Sequence, residues 1–123
     1  MQRLLDSVAR DVEILEASGF DAVLSCNEGD RPYSFTAGPE IASAMSWIIA
    51  QARPARIPFG VDHLYDARTA VAVARITGAS FVRSVMSGAY ESDMGVWTPV
   101  LPGLLRYRRQ IDGANLKLFM NIT

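Results

Sequence analysis

The chain has 123 residues, half of them hydrophobic and a fifth charged, with a formal net charge of -1, which is the profile of one soluble globular domain rather than a disordered or strongly basic segment. No surplus of cations is present, so nucleic acid is not an expected partner, and no run reaches the roughly 18 to 20 apolar residues of a membrane span. The first residues lack the apolar core of a signal peptide, which makes the cytoplasm the default location, and the lone Cys26 can neither form a disulfide within the chain nor join a second thiol at a zinc site.

In chain order, Leu4, Leu5, Val8, Val12 and Leu15 fall on one stripe of a helix that Gly19 stops. "DAVLSC", 21 to 26, follows as a short strand apolar on both faces, as in a parallel sheet buried under helices. After the turn-rich loop "NEGDRPYSFTAG", Pro39 marks a first helical turn, and Ile41, Ala44, Met45, Ile48, Ile49 and Ala52 give a second buried stripe. "RIPFGV", 56 to 61, is a strand; Asp66 can cap a helix running to about Thr77, with Gly78 closing it. "SFVRSVM", 80 to 86, is the next strand. Pro102 opens a helix with Leu104, Leu105 and the wet-faced "RYRR", 106 to 109, and "LKLFMNI", 116 to 122, is the last strand. The order is αβαβαβαβ.

Strands alternating with helices predict βαβ units and a parallel sheet, hence an α/β fold whose ligands lie at the carboxyl ends of the strands. Polar residues at that level are Cys26, Asn27 and Asp30, then Asp62 and His63, then Arg83 and Ser84, then Asn121 and Thr123. Asp62 and His63 are the candidate catalytic pair, because an imidazole titrates near neutral pH and a carboxylate can orient it. Neighbouring strand residues point to opposite faces, so the two share a site only if the strand has already ended. Asn27, Asp30, Arg83 and Asn121 are the candidate ligand-binding residues. Each has a plainer reading: a hydrogen-bonded loop histidine at 63, a helix cap at Asp66, a solvent or salt-bridge role for Arg68, a turn at Asp30, Arg31 and Pro32, a small buried thiol at Cys26. "SGAYESDMG", 87 to 95, is a glycine-bounded loop placed to cover a site and carries no nucleotide motif. Met45, Met86, Met94 and Met120 read as core or lid filling.

The stretches "GDRPY", "IPFGVDHLYDAR", "TGASFVRSVMSGAYESDMG" and "LLRYRR" occur in an order and spacing that resembles the BtpA/SgcQ family over nearly the whole chain. The resemblance implies a (βα)8 TIM-barrel-type fold of the ribulose-phosphate-binding style. Here it would be partial: one domain over residues 1–123, about four parallel strands with intervening helices, against the about 250 residues of a complete barrel. The family is named for a thylakoid-associated factor needed for stable photosystem I reaction-centre proteins and for a relative encoded among sugar-uptake genes. It thus implies either a site that binds or converts a sugar or phosphorylated metabolite, or a non-enzymatic assembly or stabilising factor. Whether the chain is an enzyme, and with which cofactor, stays open.

Departures from the family pattern bear on that choice. Cys26 stands where the family has an acid, Asp62 where it has an asparagine, His63 at an apolar position and Asn121 at an aspartate, while Asn27, Asp30, Pro32, Arg83 and Gly88 match. Loss of two carboxylates favours the assembly factor. Four strands with helices on one side would leave two free edges and an apolar inner surface made by "AVL", "FGV", "FVRSV" and "LFM". A homodimer that completes a barrel is therefore the expected state.

Overall fold

The computed structural model describes residues 1–121; Ile122 of the predicted last strand and the candidate Thr123 lie outside the described residues. The elements are α1 (Gln2–Ala17), β1 (Val23–Ser25), α2 (Pro39–Ala52), β2 (Phe59–Val61), α3 (Ala67–Thr77), β3 (Phe81–Ser84), β4 (Tyr90–Ser92), β5 (Gly95–Trp97), α4 (Leu101–Gln110) and β6 (Lys117–Met120). β1, β2, β3 and β6 form one parallel sheet in that order, so the chain is α/β with four helices between and before its parallel strands. Such a sheet is what a partial (βα)8 barrel contains.

The predicted helices form where their signals stand. Pro39 and Pro102 sit in first turns, where a missing amide proton costs nothing. Asp66 caps α3, accepting from the Thr69 amide at 3.0 Å, and Gly78 closes it in the left-handed conformation, φ 83°. Asp66 also accepts from the Ala37 amide at 2.8 Å, which ties the 27–38 loop to the start of α3.

The strands are shorter than the apolar runs that predict them. In "RIPFGV" the amides of Arg56 and Ile57, with that of Ala55, donate to the Glu16 carboxylate at the end of α1, so pairing begins only at Phe59. Those three donors hold the Glu16 carboxyl below its ordinary value, the Arg56 amide foremost. The 87–95 segment is not an open loop. It forms most of a hairpin in which Tyr90 pairs with Trp97 and Ser92 with Gly95, closed by the Ser92 hydroxyl, which accepts from the Met94 amide and donates to the Gly95 carbonyl. Three-residue strands are too short to display a period of two in sequence.

Alternation along the strands divides the apolar residues that were all expected to face inward. Val23, Phe59, Val61, Val82 and Leu118 turn toward the helices, most of them joining Ile49, Ala70, Val71, Val73, Ala74, Met86, Leu104 and Leu116 in the main core. Leu24, Gly60, Phe81, Arg83 and Phe119 turn to the other face, which no helix covers; Leu24 is 38% exposed and Phe119 51%. The Phe81 and Phe119 rings lie 5.0 Å apart on that face. Phe81 also covers Gly60 so closely that a Cβ there would collide with its ring, which explains a glycine in mid-strand. Met120, read as core or lid filling, is 45% exposed because β6 is an edge strand. A groove of about 570 Å³, lined by Leu4, Val8, Leu15, Leu24 and Met45 among others, runs along the free edge of β1, so part of the α1 stripe has no partner among the described residues.

Asp66→Ala is expected to lower the unfolding free energy by about 2 kcal/mol, roughly half from the lost cap and half from the acceptor taken from the Ala37 amide. Asp66→Asn, which can still cap through its one side-chain oxygen but leaves the Ala37 amide without that acceptor, should lose about half as much. Urea denaturation of the two variants checks this, and equal midpoints for Asp66→Ala and the parent chain would refute it.

Candidate functional site

The carboxyl end of the sheet carries a cavity of about 260 Å³ lined by Tyr33, Asp62, Leu64, Tyr65, Arg83, Ser84, Val85, Trp97 and Asn121. Strand geometry accounts for its polar members. The Asp62 amide donates to the Ser25 carbonyl at 2.9 Å, so the chain keeps its strand direction one residue past β2, and Asp62 projects to the same face as Arg83 of β3. Asn121 follows Phe119 by two positions along β6 and so shares that face. The structure thus brings Asp62, Arg83 and Asn121 to one cavity.

Asp62 is the unusual group among them. It is 4% exposed, its Oδ1 is buried with no hydrogen-bond partner among the described residues, and its Oδ2 lies 3.9 Å from Nη1 of Arg83, whose side chain is half exposed. That separation is an ion pair without a hydrogen bond, leaving the carboxylate's acceptor capacity largely unused. Burial pushes the Asp62 carboxyl above its ordinary value, opposed in part by the Arg83 guanidinium.

Three aromatic rings complete the wall, and the sequence reading singled out none of them. Tyr33, Tyr65 and Trp97 come from the segments after β1, β2 and β3, the last by way of the hairpin. Tyr65 stands third in a turn closed by the Asp66 amide and the His63 carbonyl at 3.0 Å, with φ 70°, a slot that ordinarily takes glycine or asparagine. Tyrosine is held there by ring contacts with Tyr33 at 5.7 Å, Phe35 at 5.9 Å and Trp97 at 5.0 Å. The available signal was positional: each of the three follows the carboxyl end of a strand.

The other candidates lie elsewhere. His63 turns away from Asp62 and is 3% exposed. Asn27 Oδ1 accepts from the Leu64 amide at 2.8 Å, which makes Asn27 Nδ2 the donor toward His63 Nε2 at 3.3 Å and leaves His63 Nδ1 to donate to the Leu64 carbonyl at 3.2 Å. A neutral ring protonated on Nδ1 satisfies all three bonds. Asn27 and His63 thereby brace the segments after β1 and β2 against each other. Asp30 is exposed and borders the β1 groove instead of the Asp62 cavity. Cys26 is half-buried, and desolvation with the charges of Asp62 and Glu28 pushes its thiol up to about 11, so it remains protonated near neutral pH. Arg68 makes no salt bridge among the described residues; its guanidinium lies 4.0 Å from the centre of the Tyr107 ring on α4. Among the described residues no group of three His, Cys, Asp or Glu side chains could hold a metal ion, and no helix is long and apolar enough to cross a membrane.

The BtpA family model matches residues 1–123. The sgc region protein SgcQ of Escherichia coli is 37% identical over 123 residues, which cover 99% of this chain and 46% of that protein. An uncharacterized protein of Pyrococcus furiosus is 30% identical over 121 residues, 95% of this chain and 46% of its own length. The photosystem I biogenesis protein BtpA of Synechocystis is 30% identical over 113 residues, 89% of this chain and 39% of that protein. The chain therefore spans less than half the length of these relatives. No solved structure matches it. Agreement along the full chain, with the parallel α/β order expected of the resemblance, has one consequence: the chain belongs to the BtpA family.

Proposed function

We propose that the chain binds a small polar metabolite, a sugar or a phosphorylated compound, at the carboxyl ends of its parallel strands. Asp62, Arg83 and Asn121 supply the polar contacts. The observation that carries this reading is the buried, unpartnered Oδ1 of Asp62 on the wall of a cavity that also holds a half-exposed guanidinium. Native proteins satisfy nearly all buried acceptors, and an exception beside a concave site marks a ligand position. The Asp62 and His63 pair supports no shared acid/base step, because the two side chains leave the backbone in opposite directions and His63 is committed to Asn27 and Leu64. The second reading, an assembly or stabilising factor related to the biogenesis protein of Synechocystis, draws support from the apolar open face of Leu24, Phe81 and Phe119. That face has a simpler occupant, since a sheet covered on one side and free at both edges invites further strands.

The panel for the binding test is D-glucose, D-galactose, D-ribose, their phosphate esters and inorganic phosphate, followed by ligand-observed NMR. At least one member is expected to bind saturably, and Arg83→Met to weaken it about tenfold or more while the chain still folds, since the lost contacts are charge-assisted and the side chain is half exposed. Binding indifferent to Arg83, or absent throughout, would refute the reading.

A functional Asp62 should also cost stability. Its folded-state value lies above the ordinary 3.8, so the native chain holds the proton more tightly than the unfolded chain, and stability falls as pH rises from 3.8 through the raised value. Asp62→Asn is expected to raise the thermal midpoint at pH 7 and to leave it near the parent's at about pH 3, where both states of the parent carry the proton. A lowered midpoint at pH 7 would show the Arg83 pair to be net stabilising.

For the open face, we propose that the chain taken alone covers it with a second copy, whose four strands bring the total to the eight of a closed barrel. Light scattering should give a dimer with an interface above about 2,000 Å². Phe119→Asp should abolish association, whereas Val82→Asp, which places a charge in the helix-side core, should prevent folding at any concentration. A monomer with concentration-independent unfolding would exclude the dimer.

A further inference from the structure

The lining of the cavity distinguishes between the two ligand classes left open above. Its charged side chains, Asp62 and Arg83, cancel, and among the described residues it contains no second Lys or Arg. The nearby amino end of α3, which could otherwise receive an anion, is already closed by the Asp66 carboxylate. A dianionic phosphate entering here would meet one half-exposed guanidinium already facing a carboxylate. The buried Asp62 Oδ1 needs a donor, and an ionised phosphate offers only acceptors, whereas a hydroxyl offers both.

The same lining contains three aromatic rings. Tyr65 and Trp97 meet edge to face at 5.0 Å, with Tyr33 beside them, and all three line the same 260 Å³ as Asp62, Arg83 and Asn121. The negative face of an aromatic ring attracts the weakly positive C–H groups of a saturated ring, while carboxylate, guanidinium and amide match hydroxyls at its rim. The volume lies below the roughly 300 to 1,000 Å³ typical for drug-sized molecules, which suits a single small ring. The strained backbone of Tyr65 points the same way, because a bulky residue kept at φ 70° has a cost that its turn alone does not require.

We propose that this cavity takes an uncharged, hydroxyl-bearing ring, a free monosaccharide rather than its phosphate ester, with Tyr65 and Trp97 against the ring and Asp62, Arg83 and Asn121 at its hydroxyls. The proposal rests on the ligand-binding reading above. It is tested with the same panel, followed by ligand-observed NMR and by intrinsic fluorescence, in which Trp97 reports from the wall. A free sugar is expected to bind at least about tenfold more tightly than its phosphate ester, which corresponds to about 1.4 kcal/mol. Tyr65→Gly suits the left-handed turn, so the chain should still fold, with a midpoint lowered by the lost ring contacts, while sugar binding weakens about tenfold; Trp97→Leu, on the separate hairpin, should weaken it as well. Tighter binding of a phosphate ester or of inorganic phosphate that still depends on Arg83 would overturn this proposal and leave the ligand-binding reading standing. Sugar binding unaffected by both Tyr65→Gly and Trp97→Leu would also overturn it. Failure of every panel member to bind would remove both.

Discussion

A parallel sheet covered by helices on one face only sets every other feature of this chain. Side chains along β1, β2, β3 and β6 alternate, so each strand divides its residues between a dry, helix-side core and an open face. Val61 and Val82 are fully buried because they fall on the first side; Leu24 and Phe119 are exposed because they fall on the second. The same alternation carries Asp62, Arg83 and Asn121 to the carboxyl end of the open face, one from each of three adjacent strands. A shift of one residue in any strand would send its contribution into the helical layer.

The segments beyond the strands are joined by a few specific contacts. Asn27 bridges to His63 and Leu64, Asp66 holds both the start of α3 and the Ala37 amide, and Tyr65 gathers rings from the segments after β1 and β3. His63, the only histidine, is thus a brace whose two ring nitrogens are both engaged. By holding the 27–38 loop against the 62–66 turn it keeps Tyr33 and Tyr65 on the rim of the cavity. The charge within the cavity is arranged differently: Asp62 is buried, half paired and held toward its protonated form, a state that hydrogen bonding from a ligand would relieve.

Much of this architecture is legible in the residues themselves. Helix starts at Pro39, Asp66 and Pro102, the stop at Gly78 and the apolar stripes all act through the local backbone, and the αβ alternation that makes the sheet parallel follows from their order. Arg83 and Asn121 could be assigned to the carboxyl end of the sheet, where both line the cavity, because strand ends are recognisable. Strand lengths were less legible, since a partner far along the chain decides them: the Glu16 carboxylate takes the amides of Arg56 and Ile57 that an apolar run alone would have assigned to β2.

What the sequence by itself determined, then, is the α/β class, the helices and the level in the fold where polar residues meet, because each depends on periodicity and capping within a few neighbouring positions. Only the tertiary structure decided that Asp62 joins Arg83 while His63 joins Asn27, that Asp30 borders the groove along β1, and that Tyr33, Tyr65 and Trp97 form one wall. These outcomes rest on strand register and on contacts between segments some twenty or more residues apart, for which no local pattern exists in the chain.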